Sequence, residues 1–539
     1  MDKKRIFLIF LVTIVLVSAA AAQVSQLFFT HDRCVACHNG LVTTEGEDIS
    51  FGTNWKASMM ANSSRDPYWQ AAVRRETLVH PSLGAAIQHE CAACHMPMSR
   101  YLAKVSGGMG TVFANLPIIR QATATARLAA DGVSCSMCHQ IQKDKLGTKE
   151  SFTAGFVVDP DTAMGRRDIF GPYDVDEGRK ILMQSSAQFI PQRSPHIQSS
   201  ELCASCHTLF THAFDENGVV IGEFPEQVPY LEWKHSDYYQ ERNCQSCHMP
   251  VVDGKTPITS VVGQDREDVS QHVFRGGNFF MPKILNRYRD ELGVSAQPQE
   301  LTTASRKTVE HLQSAAANIE LQDAEIMDGR LHAQVFIDNL AGHKLPSAYP
   351  SRRAWIHFAV HDANNNLVFE SGRLNPDGSI QGNDNDADKE RFEPHYDEID
   401  APEEVQIYES ILGGPDTKVT TVLLSAVRYL KDNRLLPDGF DKATAEKDIA
   451  VNGSAATDSD FIGGGDTIRF TVPLEGRPGP FSVTVELWYQ PVGYRWAQNL
   501  KQQSAEEIER FVSYYNNLSK TSGTVLASDS AEVTREGQK

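Results

Sequence analysis

All ten cysteines of this 539-residue chain occur in pairs separated by two residues, and a histidine follows directly after each pair. The pattern Cys-x-x-Cys-His occurs five times between residues 34 and 248, and no cysteine is left over. A four-cysteine zinc site uses two such pairs, so five pairs would leave one unused, and zinc does not require a histidine at a constant position. A secreted disulfide framework would not place every cysteine at this spacing.

Covalent attachment of haem c explains both features of the pattern. The two thiols bond to the porphyrin vinyl groups, and the imidazole that follows them binds the iron. The sequence therefore predicts five covalently bound haem c groups. The predicted attachment residues are Cys34, Cys37, Cys91, Cys94, Cys135, Cys138, Cys203, Cys206, Cys244 and Cys247, and the predicted proximal iron ligands are His38, His95, His139, His207 and His248.

The second axial ligands are expected among the remaining histidines and the methionines. A second His is typical of carriers with a low reduction potential, whereas a Met raises the reduction potential of the haem. The candidates are His196, seven residues before Cys203, His272 in "QHVFRGGNFF", His343 in a loop after a predicted strand, His80 before Cys91, and Met59 and Met60 for the first haem. The glycines after His272 would allow backbone to approach a flat porphyrin. An iron without a second ligand would be open to a substrate. Whether every iron has a second ligand therefore decides between an electron carrier and an enzyme.

Residues 1–22 have the form of a signal peptide. Lys3, Lys4 and Arg5 precede an apolar run, and small residues end at Ala22. We expect cleavage near Ala22–Gln23 and a periplasmic or extracellular protein, with an uncleaved N-terminal anchor as the alternative. No later stretch has 18 consecutive apolar residues, so no integral span is predicted after cleavage.

The formal net charge is −18, and no basic patch is present to neutralise phosphates, so a nucleic-acid partner is disfavoured. An acidic surface favours solubility or docking to a basic redox partner.

The pattern of apolar residues changes after about residue 315. Alternation in "RLHAQVFID", "AWIHFAVHD", "DTIRFTVPL" and "FSVTVELWYQ" predicts strands with one buried face. We therefore predict an α+β multidomain fold: a mostly helical and loop-rich pentahaem domain over 23–315, a β-sandwich-like domain over 316–500, and a C-terminal helix and tail over 501–539. In the last segment, Ser504 and Glu507 predict a capping box, and Ile508, Phe511 and Tyr515 share one helical stripe.

Within the motif-bearing part, "RDPYWQAAVRRETLV" and the segment 258–274 ("ITSVVGQDREDVSQHVF") show helical patterns. The remainder is expected to be short helices and loops, because five porphyrins would supply much of its apolar core.

The five motifs, with "GVSCSMCHQI", "SELCASCHTL" and "CQSCHMP", resemble the multihaem cytochrome c superfamily over residues 30–285. This superfamily includes tetrahaem cytochromes of ammonia oxidisers, pentahaem nitrite reductases and octahaem hydroxylamine oxidoreductases. "EFPEQVPYLEWKHSDY" and "GHKLPSAYPSRRAW" are similar to exported members with a β-rich C-terminal extension. The resemblance implies closely stacked haems, mostly with two histidine ligands. This chain departs from the nitrite reductases, whose catalytic haem motif characteristically ends in Lys, because all five motifs here end in His.

These features favour an exported electron-transfer protein over a catalyst. Its expected partners are other redox proteins, and a membrane complex that oxidises quinol is one candidate. Two alternatives stay open. One is a periplasmic haem reductase that acts on a small oxyanion or peroxide at one open iron. The other is a subunit of an extracellular conducting filament.

Overall fold

A computed structural model describes residues 27–215 and 217–534 of the chain. The predicted signal peptide and its cleavage site lie outside the described residues.

The motif-bearing part is built from short helices joined by loops, with three small strand pairs. This texture agrees with the expectation that little regular structure separates the motifs. Its helices are α1 (Asp32–Val35), α2 (Phe51–Lys56), α3 (Pro67–Val79), α4 (Gly84–His95), α5 (Pro97–Val105), α6 (Ala124–Ala130), α7 (Cys135–Cys138), α8 (Glu177–Ala187), α9 (Ser200–His207), α10 (Pro229–Lys234), α11 (Cys244–His248), α12 (Phe280–Arg287), α13 (Arg289–Leu292) and α14 (Pro298–Ala315). Its strands are β1 (Arg167–Gly171), β2 (Phe189–Arg193), β3 (Leu209–Phe214), β4 (Val220–Gln227), β5 (Thr256–Pro257) and β6 (Asp265–Arg266).

The rest of the chain is β-rich. Its strands are β7 (Ala317–Met327), β8 (Arg330–Asn339), β9 (Arg353–His361), β10 (Leu367–Ser371), β11 (Glu398–Ile399), β12 (Ile407–Tyr408), β13 (Ser410–Gly413), β14 (Val419–Thr420), β15 (Arg428–Asp432), β16 (Gly465–Pro473), β17 (Phe481–Gln490) and β18 (Thr524–Val533), and its helices are α15 (Asp384–Ala387), α16 (Tyr494–Asn499) and α17 (Glu506–Leu518). One sheet has the order β10-β9-β17-β18, with β12 also paired to β9; a second has the order β11-β16-β8-β7; and β14-β13-β15 form a third.

The four strands predicted from alternation are present as β8, β9, β16 and β17, which confirms the mixed α+β class. The alternating apolar residues of these strands are buried, as in Leu331, Ala333, Val335 and Ile337 of β8, because every second side chain of a strand points to the same face. The two larger sheets meet where Phe358 of β9 stacks on Phe470 of β16, with ring centroids 4.0 Å apart. Burial of such rings supplies much of the free energy that holds the two sheets together.

The C-terminal segment differs from its prediction in two ways. Residues 524–533 are not a loose tail but strand β18, which pairs antiparallel with β17. The predicted capping box is also absent: α17 begins at Glu506, the Ser504 hydroxyl donates to Glu509, and Glu507 instead pairs with Arg74 of α3. The predicted helical stripe of α17 is buried, as expected.

The prediction of a helix over 258–274 is wrong. The helix predicted from "RDPYWQAAVRRETLV" is confirmed, because this segment contains α3. Residues 258–274 instead wrap around the first motif, where the backbone N–H of Ser260 donates to the Cys37 carbonyl. Hydrogen bonds to a distant part of the chain have replaced those that a helix would form within itself.

Among the described residues, no helix is long and apolar enough to cross a membrane.

Candidate haem centre

All five motifs lie in the wall of one continuous cavity of about 1450 Å³. Ordinary small-molecule pockets have volumes of about 300–1,000 Å³. Cys37 is the one motif cysteine or histidine that does not line it. The cavity is thus large, shared by the motifs and mostly apolar.

Each motif forms a helical turn, in or at the end of α1, α4, α7, α9 and α11. In the first motif the backbone N–H of His38 donates to the Cys34 carbonyl at 3.0 Å, and His139 and Cys135 make the same bond in the third. Residues at i, i+3 and i+4 share one face of a helix, so two thiols and one imidazole point the same way. None of the ten cysteines is in a disulfide, so all ten thiols are free to bond to a porphyrin.

Four motif histidines are oriented by the backbone. The Nδ1–H of His38 donates to the Ile258 carbonyl at 2.7 Å, and that of His139 to the Phe170 carbonyl at 2.7 Å. His95 makes the same bond to Ser63 at 3.1 Å, and His248 bonds to Arg275. Such a bond fixes the tautomer and leaves Nε2 as the ligating atom, which is the usual arrangement of a metal-bound histidine.

Burial keeps these imidazoles neutral. It lowers the pKa of His95 and of His248 to about 4, against the small opposing effect of their hydrogen bonds to backbone carbonyls. Burial likewise lowers the pKa values of His38, His139 and His207. A neutral imidazole has the free lone pair that a metal requires.

Distances between rings test whether a second ligand is in place. A metal–imidazole bond is about 2 Å long and the bonding nitrogen lies about 1.1 Å from its ring centroid, so two imidazoles on opposite sides of one iron have centroids about 6.2 Å apart. The rings of His139 and His272 are 6.2 Å apart with 14° between their planes. Those of His248 and His343 are 6.2 Å apart with 10° between planes. The spacing fits one iron between each pair.

His272 and His343 share a further property with the motif histidines. Each donates its Nδ1–H to a backbone carbonyl, His272 to Ser270 at 3.2 Å and His343 to Lys344 at 3.0 Å. Burial, with the neighbouring His139, also lowers the pKa of His272 to about 3.

A further imidazole, that of His311 on α14, is not among the predicted distal ligands. Its ring is 6.3 Å from that of His248, with 62° between planes, and it lines the cavity. Its apolar and polar neighbours in "TVEHLQ" are typical of any amphipathic helix, so no local signal identifies it.

The other predicted distal ligands lie elsewhere. The Nε2 of His196 donates to the Ile141 carbonyl at 2.8 Å and its Nδ1 pairs with the Ser194 hydroxyl, so both ring nitrogens are hydrogen bonded here, and ligation of an iron by His196 stays a prediction. His80 is buried outside the cavity lining, with Nε2 3.2 Å from the Ser425 hydroxyl. Met59 and Met60 both line the cavity, and their ligation of the first haem stays a prediction. Within the described chain, His38, His95 and His207 have no second imidazole in ring contact.

Thiols of different motifs meet inside the cavity. Cys34 interacts with Cys135, Cys94 with Cys206, and Cys203 with Cys244, and each interaction shifts the pKa values of the two thiols. Cys138 of the third motif also interacts electrostatically with Cys206 of the fourth. The motifs therefore form a row in the order first, third, fourth and fifth, with the second beside the fourth.

The two ends of the row reach the surface. The residues between the cysteines are buried in the second, third and fourth motifs, but Ala36 of the first and Ser246 of the fifth are exposed. Of the ten cysteines, Cys247 alone is exposed, and the other nine are half-buried. The free thiols, oriented imidazoles and shared apolar cavity together fit covalently held haem.

A scan of protein-family models gave no match, and no curated protein matched the chain. Among solved structures, the chain is similar to the crystal structure of a penta-heme cytochrome c552 from Thermochromatium tepidum, with a TM-score of 0.50 and 15% sequence identity. The alignment covers 94% of this chain and 98% of that chain, so it includes both the motif-bearing part and the β-rich part. The protein thus has a fold of the multihaem cytochrome c kind.

Proposed function

We propose that this protein is an exported pentahaem c-type cytochrome that transfers electrons along a row of closely packed haems. Haem c supplies a one-electron couple at its iron, and the protein supplies attachment, axial ligands and a dry environment. The likeness in fold to a penta-heme cytochrome and the five motifs, each placed in one cavity, support the number of haems.

The observation that carries this proposal is that all five motifs line one cavity, with Ala36 of the first motif and Ser246 of the fifth exposed at the surface. Each cysteine would hold an edge of its own porphyrin, so the pairing of Cys34 with Cys135, and of Cys203 with Cys244, indicates that the porphyrins of these motifs would lie side by side. Electrons would enter at one exposed motif, pass through the buried third and fourth motifs, and leave at the other.

The test begins with haem quantification as the pyridine haemochrome, for which we expect five haems per chain. The oxidised holoprotein is then mixed with a substoichiometric one-electron donor, and the haem spectra are followed in a stopped-flow instrument. We expect each electron to distribute over the haems within the mixing time. An electron that stays for seconds on one group of haems would contradict the row.

The two ends can be tested by blocking them. Ala36→Trp and Ser246→Trp place a bulky side chain beside the first and the fifth motif, and Ile181→Trp, at a residue 64% exposed on α8, is the matched control. We expect slower electron exchange with a small protein donor for one of the first two variants and no change for the control. Equal rates in all variants would exclude both ends as the contact point.

A second candidate function is reduction of a small oxyanion or peroxide at the fourth motif. His207 has no imidazole partner in the described chain. Burial lowers the pKa of His207, and the positive charge of Arg352 lowers it further. Tyr489 is buried, and its hydroxyl forms no hydrogen bond with any described residue. This hydroxyl lies directly beside Gly277, in the space that a larger side chain at that position would fill. A cation and a hydroxyl donor beside an open iron would bind a small anion.

Low-temperature EPR of the oxidised protein separates the two candidates. Five low-spin signals support the carrier and exclude an open site. One high-spin signal that changes when nitrite is added, and that no longer changes in Arg352→Gln, supports the reductase.

Export, a periplasmic or extracellular location and docking to redox partner proteins belong to the same proposal. The acidic charge of the chain fits a basic partner surface. Assembly into a filament stays a prediction, which the particle size of the purified protein would test.

A further inference from the structure

The loop that carries His343 belongs to the β-rich part, yet its imidazole lies against the fifth motif. It follows β8, and the His343 ring is 6.2 Å from that of His248. The loop is held from several directions: Asn339 donates from its side chain to the His343 carbonyl at 3.0 Å, and Leu345 and Leu435 exchange two backbone hydrogen bonds of 2.9 and 2.8 Å.

The residue next to His343 is a fully buried lysine. The Lys344 side chain is 0% exposed, and its ammonium bonds to Asp432 of β15 at 2.8 Å and to the Ala450 carbonyl at 3.3 Å. A buried ammonium is costly unless it is paired, so the position of Lys344 depends on Asp432.

Glu232 holds the same loop from the motif-bearing part of the chain. It lies on α10 and is completely buried. One of its carboxylate oxygens accepts the backbone N–H of Lys344 at 3.2 Å and the Ser347 hydroxyl at 2.9 Å. The loop is thus bonded to both parts of the molecule on either side of its cis Leu345–Pro346 peptide.

Arg434 joins the two carboxylates. Its guanidinium forms an ion pair with Glu232 at 2.9 Å and two hydrogen bonds of 2.8 Å with Asp432. Burial opposes ionisation of Asp432, but the Arg434 and Lys344 cations hold its pKa well below the usual range. We call these four residues, Glu232, Lys344, Asp432 and Arg434, the loop clamp. It contains two cations and two anions, so its charges balance.

We propose that the loop clamp positions His343 as the second axial ligand of the haem iron at the fifth motif, so that the β-rich part completes the last site of the row. The inference rests on the proposed haem function. His311, the other imidazole near His248, has no ring hydrogen bond among the described residues and lies on a helix that the clamp does not hold. The clamp therefore selects His343 over His311, and the four clamp residues act as positioning residues.

The experiment uses the holoprotein with all haems attached. Glu232→Gln and Asp432→Asn each remove one charge from the clamp, and His343→Ala removes the ligand itself. We expect the same one of the five EPR signals to respond in all three variants, by a change in its g values or by conversion to high spin. The haem content should stay at five, and the midpoint potential of that one haem should shift.

The matched control is Asp386→Asn. Asp386 pairs with Arg353 at 2.9 Å, both side chains are at most 4% exposed, and the pair lies in the β-rich part outside the clamp. This variant should lower the melting temperature as the clamp variants do, but leave every EPR signal unchanged. If the clamp variants lose stability and keep a wild-type spectrum, the clamp is structural only and the proposal is overturned.

Two further variants cover other outcomes. Ser347→Ala removes one hydrogen bond to Glu232 and keeps all charges, so it provides a milder variant if Asp432→Asn does not fold; the same signal should shift by a smaller amount. Adding His311→Ala to Glu232→Gln should convert that signal fully to high spin if His311 replaces a displaced His343.

A wild-type protein with fewer than five haems would refute the proposed function, whereas five haems with a spectrum unaffected by His343→Ala would refute the clamp alone.

Discussion

The carboxyl group of Glu226 should make the stability of this protein depend on pH in a way that one substitution removes. Glu226 lies at the end of β4, lines the haem cavity and is 5% exposed, and it has no hydrogen bond from its side chain among the described residues. Burial, and then the nearby Glu76, raise its pKa to about 8 from an ordinary value of 4.5. The charge of Glu76 is held in place by the backbone N–H groups of Leu423 and Leu424 and by Arg75.

The sign follows from proton binding. Between pH 4.5 and pH 8 the unfolded chain loses this proton and the folded protein keeps it, so stability falls as pH rises through that window. At pH 7 the loss is about 3 kcal/mol, and most of it develops above pH 5. In Glu226→Gln the neutral amide takes the place of the neutral acid, so this loss is absent.

The assay is the melting temperature of the holoprotein at pH 5, 6, 7 and 8. From pH 5 to pH 7, the variant should gain about 2 °C relative to the wild type for a chain of this length. Glu223→Gln is the control: it lies on the same strand with its side chain 44% exposed, and it should show no such gain. A difference between Glu226→Gln and the wild type that is constant across pH would refute the reasoning.

Three further predictions concern other parts of the molecule. His272→Ala should convert one low-spin EPR signal to high spin without loss of haem, because it removes the imidazole 6.2 Å from a motif ring; an unchanged spectrum would contradict the pairing. Phe470→Ala should lower the free energy of unfolding by about 3–5 kcal/mol in denaturant titrations, since the ring is buried between the sheets, whereas Thr471→Ala beside it should cost much less. Arg74→Ala breaks a largely buried, bidentate ion pair with Glu507 and should cost about 1–3 kcal/mol in denaturant titrations, a loss that high salt removes only in small part.

The helical turns at the five motifs could be predicted from the sequence because the geometry of each motif is local. Two thiols and an imidazole within five residues form one helical turn wherever the motif lies, as in Cys34 and His38. The four main strands were predictable for a similar reason: the alternation of side chains along a strand has a period of two, whatever its partner strand.

The second ligands were not predictable from local pattern. His196 had a favourable spacing from Cys203, but a carbonyl fifty-five residues away takes up its Nε2. His272 and His343 were named for the glycines and the loop around them, yet only the fold shows that they face His139 and His248 respectively.

The segment 258–274 shows the same limit. Its helical periodicity is genuine, but its carbonyl and amide groups bond to the first motif, more than two hundred residues earlier in the chain. Local propensity is worth tenths of a kcal/mol per residue, so several long-range hydrogen bonds outweigh it.

From the sequence alone came the five motifs, the prediction of their cysteines and histidines as haem attachment residues and proximal ligands, and the main strands of the β-rich part, which the structure confirms. The folded chain was needed to show which motifs are neighbours, which two motifs reach the surface, and that a loop of the β-rich part places the His343 ring 6.2 Å from that of His248. The physical reason is that covalent spacing and side-chain periodicity act over a few residues. The paired imidazoles and the loop clamp of Glu232, Lys344, Asp432 and Arg434 join residues that meet only when the whole chain has folded.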